Sequence, residues 1–436
     1  MPRLLLLGLL AFGLVLGGLA TLQGEILALA LPLVVYVASA LLFGPGKVKL
    51  QVARSLSTDR VQTGTPVRVL VTVVNEGPAL EEVAVRERFL ERQAYGLTDP
   101  PRLIDGEMSL LARLPRGGSL TLDYTVLPPR GGLQFHGLEV AACDHLGLVY
   151  RRQTIPAPGQ VSVLPRGARL RSIPIRPRRT RGYAGPIPAR QGGSGTDFFG
   201  VREYQMGDPR RWINWRVSAR QPHTLFANEF EQERIADVGL ILDARQRSNL
   251  VAGQETLFEY AVRATASLAE TFLADGNRVG LLSYGRTLDW TFPGYGKVQR
   301  ERILRALARA RPGESQIFDN LRYLPTRFFP AQSQLVLVSP LWSDDLPMLV
   351  RLRAHGYQVL VVRPDPASLE IKIVEPGPEA ELAARIIRVE RALLLRRLLQ
   401  MGVQVVNWPV DEPLDRAIHT SLGRAGGWTP TIRGRP

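Results

Sequence analysis

The stretch ADVGLILD, from Ala236 to Asp243, is a short apolar run that ends in an acidic residue. A run of this kind, bounded by polar segments, is typical of a strand buried on both faces. The next segment, ETLFEYAVRATASLAETFLADG, has helical periodicity and ends at Gly276, the residue type that commonly follows a helix. RVGLLSYG then returns to an apolar strand pattern. Strand and helix therefore begin to alternate at residue 236.

The alternation continues through the rest of the chain. Strand patterns occur in QLVLVSP, YQVLVVRP and VQVVNW, with LDWTFP as a further short segment, and helical patterns in KVQRERILRALARAR, LPMLVRLRAHG and PEAELAARIIRVERALLLRRLLQMG. This order predicts an α/β doubly wound domain with a parallel sheet over residues 236–425, followed by a flexible tail at 426–436. No glycine-rich phosphate loop follows any of these strands, so the sequence gives no support to nucleotide binding.

Immediately upstream, residues 196–235 contain DFFGVREYQMGDPRRWINWRVSARQ, a block dense in arginine and tryptophan. Asp208 before Pro209 suits a helix N-cap followed by proline at the first helical position. Trp212, Trp215 and Ala219 then share one face of the predicted helix and are expected to pack on a core.

Three roles are open for this block. In the favoured interpretation, its arginines, Arg211 and Arg220, pair with Glu203, Glu229 or Glu231 and so latch the linker to the α/β domain. The same residues also suit a docking surface for a partner. Acid/base catalysis by Glu203 and Asp208 is the third, less favoured, interpretation.

Upstream of residue 196 the spacing of apolar residues along the sequence changes. Residues 165–195 are rich in Pro, Gly and Arg and are interpreted as a linker or extended arm, whose arginines suit either solvent or anionic lipid. Residues 48–164 alternate apolar and polar positions between Gly, Pro and Asn, which predicts an antiparallel β-sandwich of about seven strands.

Residues 1–46 carry two uncharged apolar runs, at about 4–20 and 26–43, separated only by TLQGE. Each run is long enough to cross about 30 Å of hydrocarbon as a helix. Arg3 precedes the pair, and Lys47, Lys49 and Arg54 follow it, so the positive-inside rule predicts cytoplasmic ends and an external TLQGE loop. A cleaved signal peptide is the alternative for the first run alone. We expect an integral protein of the inner membrane whose other domains face the cytoplasm.

Composition narrows the function classes. The formal net charge is +15, with 55 Lys and Arg against 40 Asp and Glu, but the basic residues are spread along helices beside acidic ones. Nucleic-acid binding is therefore disfavoured, although a basic membrane-surface or nucleic-acid binder stays an alternative. The single cysteine, Cys143, excludes an intrachain disulfide and a thiolate metal cluster.

Several fixed spacings resemble the signature of the bacterial and archaeal "domain of unknown function 58" family. The matching residues are Arg202, Glu203, Tyr204, Gly207, Asp208, Arg211, Trp215, Ser218, Ala219, Arg220, Phe230 and Glu231, followed by the strand that ends at Asp243. Upstream, PRGGLQFHGLEVAACDHLGLV and VSVLP are similar to segments that precede this signature. The resemblance implies a membrane-anchored protein with a β-sandwich and a von Willebrand factor A-like domain, no assigned enzymatic activity, and a MoxR-type AAA+ ATPase as a partner.

The resemblance also implies where a metal would lie, because von Willebrand A-like domains often hold Mg²⁺ with Asp-x-Ser-x-Ser after the first strand. Here the corresponding positions are Asp243, Arg245 and Arg247, and the later strand ends at Ser339 before a proline, with Asp344 and Asp345 farther on. A guanidinium about 5 Å from a divalent ion repels it by roughly 6 to 7 kcal/mol at an effective dielectric of 20. We therefore expect a degenerate site with no metal or other cofactor, in which Asp243 pairs with Arg245 or Arg247. An arginine-lined opening that binds an acidic side chain directly is a further hypothesis.

The sequence favours a membrane-anchored, non-enzymatic scaffold or adaptor that binds protein partners and acts in the assembly or activation of envelope or other complexes. The five histidines lie in no metal-binding or catalytic pattern, and Cys143 and His145 on one strand would be too far apart for direct proton transfer. A cell-envelope enzyme stays the first alternative. It would require a cleft of clustered titratable groups.

Overall fold

The computed structural model describes residues 2–42, 44, 48–89, 92–93, 96–97, 100–143, 148–173, 175, 180–181, 187–221, 223–253, 255–315, 317–370 and 377–423. The tail predicted at 426–436 lies outside these residues, as do Lys47, His145 and part of the predicted linker. The chain divides into two compact units, Met1–Leu164 and Pro165–Pro436.

Two apolar helices begin the first unit: α1 (Pro2–Thr21) and α2 (Gly24–Leu42). They contact each other closely at Gly18, where an added Cβ would lie 2.8 Å from the Leu27 side chain. The turn between them includes Leu22, whose φ is +53°. Both helices are long and apolar enough to cross a membrane, with mean hydropathies of 2.4 and 2.2, and little of either is buried. The predicted pair of apolar helices is thus present, and it is consistent with a membrane anchor.

The rest of the first unit is made of strands. They are β1 (Leu50–Leu56), β2 (Arg60–Gln62), β3 (Val67–Asn75), β4 (Leu80–Phe89), β5 (Arg92–Gln93), β6 (Gly96–Leu97), β7 (Arg102–Gly106), β8 (Ser109–Leu114), β9 (Ser119–Leu127), β10 (Leu133–Cys143) and β11 (Tyr150–Leu164). One sheet has the order β1-β3-β9-β7 and another has the order β2-β11-β10-β4-β8. All pairings in them are antiparallel except that of β2 with β11. The short β5 and β6 pair with each other, separately from these two sheets.

Both sheets contribute to one apolar core. β3 buries alternate residues, Val67, Val69, Val71 and Val73, and β4 and β10 of the other sheet add Val85 and Val140 to the same cluster. Period-two alternation directs one face of a strand inward, so these valines account for the packing of the two sheets.

The second unit contains β12 (Thr180–Arg181), β13 (Ile187–Glu203), β14 (Phe226–Ala244), β15 (Val251–Ala252), β16 (Glu255–Thr256), β17 (Arg278–Gly285), β18 (Leu288–Gly294), β19 (Gln334–Val338), β20 (Gln358–Pro364) and β21 (Gln404–Trp408). Its helices are α3 (Trp215–Ser218), α4 (Leu257–Ala274), α5 (Gly296–Arg309), α6 (Leu346–Ala354), α7 (Pro366–Glu370), α8 (Pro378–Gln400) and α9 (Leu414–Gly423). Helix α4 is capped by the Thr256 side chain and is followed at Gly276 by a glycine with φ +78°.

The central sheet of this unit has the strand order β18-β17-β14-β19-β20-β21. The pairings among β17, β14, β19, β20 and β21 are parallel, whereas β18 is antiparallel to β17. Consecutive residues of β14 from Ala236 to Ala244 are buried, so both faces of this part of the strand are covered. The predicted alternation of strands and helices is present from residue 236.

The structure corrects the prediction of a linker at residues 165–195 in two places. Its first part lies on the second unit, where Leu170, Ile173 and Ile175 are buried and the Ala168 N–H donates to Ser267 at 2.8 Å. Its last part belongs to β13, which pairs with the first half of β14. The composition of this segment suggested an irregular structure. Backbone hydrogen bonds to the edge of another strand do not require alternating apolar residues, so the sequence carries no strand pattern here.

Candidate functional site

Asp243 lies at the carboxyl end of β14, where the order of the sheet reverses. From β14 the chain continues to β17 on one side, and it later places β19 on the other side. Ser339 directly follows β19, so the ends of two neighbouring parallel strands bring Asp243 and Ser339 together. In open α/β sheets, ligands bind at this kind of reversal.

Arg245 joins two carboxylates at this position. Its Nε and Nη2 donate to the two oxygens of Asp243 at 2.9 and 2.8 Å. Its Nη1 and Nη2 donate to the two oxygens of Asp345 at 2.8 and 2.9 Å. The remaining Nη1 hydrogen has the Asp319 carbonyl oxygen as its acceptor, at 3.1 Å. A guanidinium has five N–H donors, and all five therefore have acceptors within the chain.

Asp243 is equally well satisfied. One oxygen accepts from the Ser248 and Ser339 hydroxyls at 2.7 and 2.6 Å, and the other accepts from the Arg245 backbone N–H at 3.1 Å. We call Asp243, Arg245, Ser248, Ser339 and Asp345 the carboxyl-end cluster. Asp243 was predicted to pair with Arg245 or Arg247, and it is Arg245 that forms the pair.

The cluster is closed to solvent, since Asp243, Arg245 and Asp345 are 2%, 1% and 0% exposed. Arg245 therefore does not form the open, arginine-lined mouth that was hypothesised for an acidic ligand. Arg247 is the arginine at the rim. It donates to Asp344 at 2.9 Å and to Asp345 at 3.3 Å, and its side chain is 28% exposed.

Charge balance explains why these groups are tolerated in the interior. Burial lowers the pKa of Arg245, but its hydrogen bonds to Asp243 and Asp345 raise that pKa by more, and the net shift is upward. The guanidinium therefore stays protonated, and the two buried carboxylates share its single positive charge. Arg247 adds a second positive charge, 3.3 Å from Asp345. Burial also raises the pKa of Tyr284, whose hydroxyl donates to the Asn320 carbonyl at 2.7 Å.

The donor set does not fit a divalent cation. Guanidinium hydrogens occupy the carboxylate oxygens that would face such an ion, and Mg²⁺ requires oxygen ligands in an octahedron. Among the described residues, no group of three or more His, Cys, Asp and Glu side chains is arranged to hold a metal. The cation that balances Asp243 is thus a side chain of the same protein.

Sequence reasoning did not consider Ser248, and it did not place Asp345 in the cluster. Asp345 was considered too far along the chain from the strand end, yet it reaches Arg245 because the chain turns sharply at Leu341, whose φ is +54°. Its carboxylate also accepts the Trp342 N–H at 3.0 Å, at the start of the turn that leads into α6. The sequence did contain a signal for Asp345, since it is an acidic residue just before a helix that follows an apolar strand.

The central part of the block at residues 196–235 forms the tip of the hairpin between β13 and β14. Glu203 pairs with Phe226, and the Tyr204 N–H donates to the Leu225 carbonyl at 2.8 Å, which closes a loop over residues 204–225. We call this segment the signature loop. Its turn at Gly207 has φ +111°, a conformation that favours glycine.

The base of the signature loop is fixed by Arg202 and Asp208. Two guanidinium nitrogens of Arg202 donate to the two oxygens of Asp208 at 2.8 and 2.7 Å. One oxygen of Asp208 also accepts the Gln205 N–H at 3.0 Å, and the Tyr204 hydroxyl donates to the Asp208 carbonyl at 3.0 Å. Asp208 is therefore a turn residue and not the predicted helix N-cap.

The helix predicted after Asp208 is interrupted. A single 3₁₀ turn covers Arg210–Trp212, and α3 begins only at Trp215, capped by the Asn214 side chain. Between them the Asn214 N–H donates to the Phe226 carbonyl of β14 at 2.8 Å, and this strand-like pairing breaks the helix. Trp212 is half-buried, whereas Trp215 is 68% exposed, so the expected tryptophan stripe does not form.

The signature residues divide into an inner and an outer set. Ser218 is buried and accepts the Phe226 N–H at 2.9 Å, as an inner residue. The outer, exposed residues are Glu203, Gly207, Arg211, Trp215, Ala219 and Arg220. The side chains of Phe230 and Glu231 lie outside the described part of the chain.

The ion pairs expected for the loop are not those that form. Among the described side chains, neither Arg211 nor Arg220 makes an ion pair with Glu203 or Glu229. Arg202 makes the contacts instead, at 2.7 Å to Asp208 and 4.0 Å to Glu229. Arg211 and Arg220 differ from Arg202 because they lie beyond the hairpin strands.

Three solved structures show how limited the structural similarity is. The CARDB domain of a Pyrococcus furiosus protein is 17% identical, with 27% of this chain and 93% of that chain covered and a TM-score of 0.18. The N-terminal domain of a Streptococcus gordonii adhesin is 9% identical, with coverages of 27% and 33% and a TM-score of 0.17. A Vibrio harveyi GH20 exo-β-N-acetylglucosaminidase is 10% identical, with coverages of 83% and 76% and a TM-score of 0.19. Scores this low support no argument about fold or function.

Sequence comparison gives a more specific result. No curated protein matches the chain. Residues 200–392, which include the signature loop and the carboxyl-end cluster, match the model of the family described as "Protein of unknown function DUF58", and this match supports the family resemblance.

Proposed function

We propose that this protein is a membrane-anchored, non-enzymatic adaptor that binds a protein partner through its signature loop. The observation that carries the proposal is the outer face of that loop, where Trp215 and several arginines are exposed on a base held by the Arg202–Asp208 pair. The two apolar N-terminal helices supply the anchor.

The outer face has the composition of a binding surface. Trp215 is 68% exposed and Met206 is fully exposed, and exposed arginines lie on the same short loop at Arg210, Arg211, Arg216 and Arg220. Trp, Met and Arg are enriched in protein interfaces, and Trp and Arg dominate their hot spots. An acidic partner surface with an apolar pocket would match this face in both charge and shape.

The two units fit the architecture that the family resemblance implies. The shared core of the two sheets in the first unit supports a β-sandwich. In the second unit, the central sheet and the position of Asp243 at its reversal support a von Willebrand A-like domain with a degenerate metal site. We therefore propose that partner binding by the signature loop involves no bridging cation at this domain.

The proposal that the protein is not an enzyme rests on the surroundings of its candidate carboxylates. A general base must be able to reach a substrate, and the carboxylates of Asp243 and Asp345 are buried and bonded to donors of their own chain. Asp208, one of the two carboxylates considered for acid/base catalysis, is held by Arg202. These contacts favour structural roles for the carboxylates.

The partner that we propose is a MoxR-type AAA+ ATPase encoded in the same genome, acting with this protein in the assembly or activation of envelope or other complexes. The residue pattern Arg202-Glu203-Tyr204 to Glu231 is the basis for this proposal, through the family resemblance. Lys49 and Arg54 follow the second helix, and positive charges beside a membrane span favour the cytoplasmic side. The domains would then face the cytoplasm, where such an ATPase acts.

The test measures binding of the purified full-length protein to that ATPase. Trp215→Ala and Arg211→Ala should each weaken binding by roughly tenfold or more, as hot-spot truncations do, with an unchanged melting temperature. Arg302→Ala, which removes an exposed arginine from α5, is the matched control and should bind normally.

Two results would contradict the proposal. If Arg211→Ala lowers the melting temperature and leaves binding unchanged, the loop is a structural latch. If the wild-type protein shows no binding to the ATPase, the assignment of the partner is wrong.

A further inference from the structure

Helix α8 (Pro378–Gln400) has apolar side chains on two opposite faces. On one face Leu398 is buried, and Leu394 packs against the core of the second unit. On the same side Arg391 forms an ion pair with Asp365 at 2.9 Å. This face fixes the helix to the central sheet.

The opposite face carries four large apolar residues that are exposed. Leu382, Ile386, Val389 and Leu393 are 58%, 53%, 61% and 50% exposed, and we call them the outer stripe. Their spacing of four, three and four residues places them along one side of the helix. It is also the a/d spacing of a coiled coil, and it covers about two heptads.

We propose that the outer stripe is a dimerisation seam, on which α8 of a second copy of this protein packs in parallel. With Ile386 at an a position, Arg385 takes a g position and Glu390 takes the following e position. In a parallel pair, a g residue contacts the e residue five positions later on the partner helix. Arg385 of each copy then faces Glu390 of the other, which gives two ion pairs related by symmetry.

The other flanking positions do not oppose this arrangement. Ala392 takes the next g position and Arg397 the next e position, so no like charges meet across these positions. An antiparallel pair would instead place e opposite e and g opposite g, which separates Arg385 from Glu390. Charge complementarity thus selects both the partner and its direction.

The seam is short, since Arg396 occupies the d position after Leu393. Its area is correspondingly small, and we expect a weak dimer in dilute solution. Two anchored copies in one bilayer have a higher effective concentration, which favours the pairing there.

The test uses full-length protein in phosphatidylcholine vesicles, with Cys143→Ala as the background. Leu382→Cys and Val389→Cys should each form a disulfide-linked dimer on oxidation, because a parallel pair places identical residues opposite each other. Val298→Cys, at an exposed apolar position on α5, is the matched control and should stay monomeric.

Charge reversal tests the partner's identity. Arg385→Glu should reduce dimer formation by roughly fivefold or more through the loss of two ion pairs. Arg385→Glu combined with Glu390→Arg should restore it.

Three outcomes would overturn the proposal. One is crosslinking of Leu382→Cys no greater than that of Val298→Cys. Another is a disulfide that forms only between Leu382→Cys and Leu393→Cys, which indicates an antiparallel pair. The third is a monomer in which a fluorophore at Ile386→Cys reports burial, which indicates that lipid or another segment of the same chain covers the stripe.

Discussion

At position 245, a side chain of the protein itself supplies a positive charge that two buried carboxylates share. Asp243 and Asp345 lie 102 residues apart in the sequence, and the Arg245 guanidinium binds both of them with pairs of hydrogen bonds. Such a pairing stabilises little relative to an apolar core, but breaking it leaves uncompensated charge in the interior. Truncation of Arg245 alone should therefore reveal the largest effect of this residue on stability.

Arg245→Ala should lower the free energy of unfolding by about 3 to 5 kcal/mol, because both carboxylates lose their counter-charge. Thermal and chemical denaturation of the full-length protein measure this change. Arg247→Ala, which removes a partly exposed side chain at the same rim, is the control and should cost about 1 kcal/mol or less.

Simultaneous removal of all three charges provides a second check. Asp243→Asn, Arg245→Met and Asp345→Asn together should be less destabilised than Arg245→Ala alone, because no buried charge is left unpaired. A stability of Arg245→Ala equal to that of the wild type would contradict the role assigned to this arginine.

At the scale of the element, the signature loop combines a fixed base with an exposed tip. The β13–β14 hairpin closes it at Tyr204 and Leu225, and the Arg202–Asp208 pair holds the first turn. Trp215 and Arg211 project from a segment that is not part of either strand. Rigid strands that position loop residues are a common arrangement in binding sites.

The pH dependence of this loop follows from Asp208. The hydrogen bond from Arg202, together with that from the Gln205 N–H, holds the pKa of Asp208 below its usual value. Because the folded pKa is below the unfolded one, the carboxylate stabilises the fold above the ordinary aspartate pKa of about 3.9, and this contribution disappears as the pH falls through the folded pKa.

Asp208→Asn should therefore have a lower melting temperature than the wild type at neutral pH, and the difference should shrink as the pH falls below about 4. Tryptophan fluorescence during thermal unfolding, at a series of pH values, measures it. Glu203→Gln, on an exposed neighbouring carboxyl, is the control. A difference that stays constant down to the lowest pH would show that the Asp208 charge does not contribute.

At the scale of the whole molecule, the topology of the two apolar helices decides on which side of a membrane the proposed adaptor surface would lie. Helices α1 and α2 form a pair joined at Leu22, which is 90% exposed. If both helices span the membrane, the rest of the chain stays on one side of it and the Leu22 turn lies on the other.

We expect the full-length protein to stay in the membrane fraction after alkaline carbonate extraction, with its N-terminal residues intact by mass spectrometry. In the Cys143→Ala background, Leu22→Cys should react with an impermeant maleimide in intact cells, whereas Val298→Cys should react only after lysis. Cleavage near Ala20 would instead identify the first run as a signal peptide, and labelling of Val298→Cys in intact cells would reverse the orientation.

The local patterns of the sequence were sufficient for much of this description. Apolar runs and helical periodicity located α4 and the strand ending at Asp243, and the uncharged runs located α1 and α2. The sequence also predicted that Asp243 pairs with Arg245 or Arg247, because these residues are close in the chain, and Arg245 forms the pair. Each of these features depends on residues within one element or one turn.

Only the tertiary structure decided which distant residues meet. The order of β14 and β19 and the turn at Leu341 bring Asp345 to Arg245, and no local period records that contact. Pairing of Asn214 with Phe226 similarly breaks a helix that the sequence of the signature loop favours, and turns Trp215 outward. Propensity and periodicity are properties of neighbours in the chain, whereas these contacts follow from how strands align across the sheet.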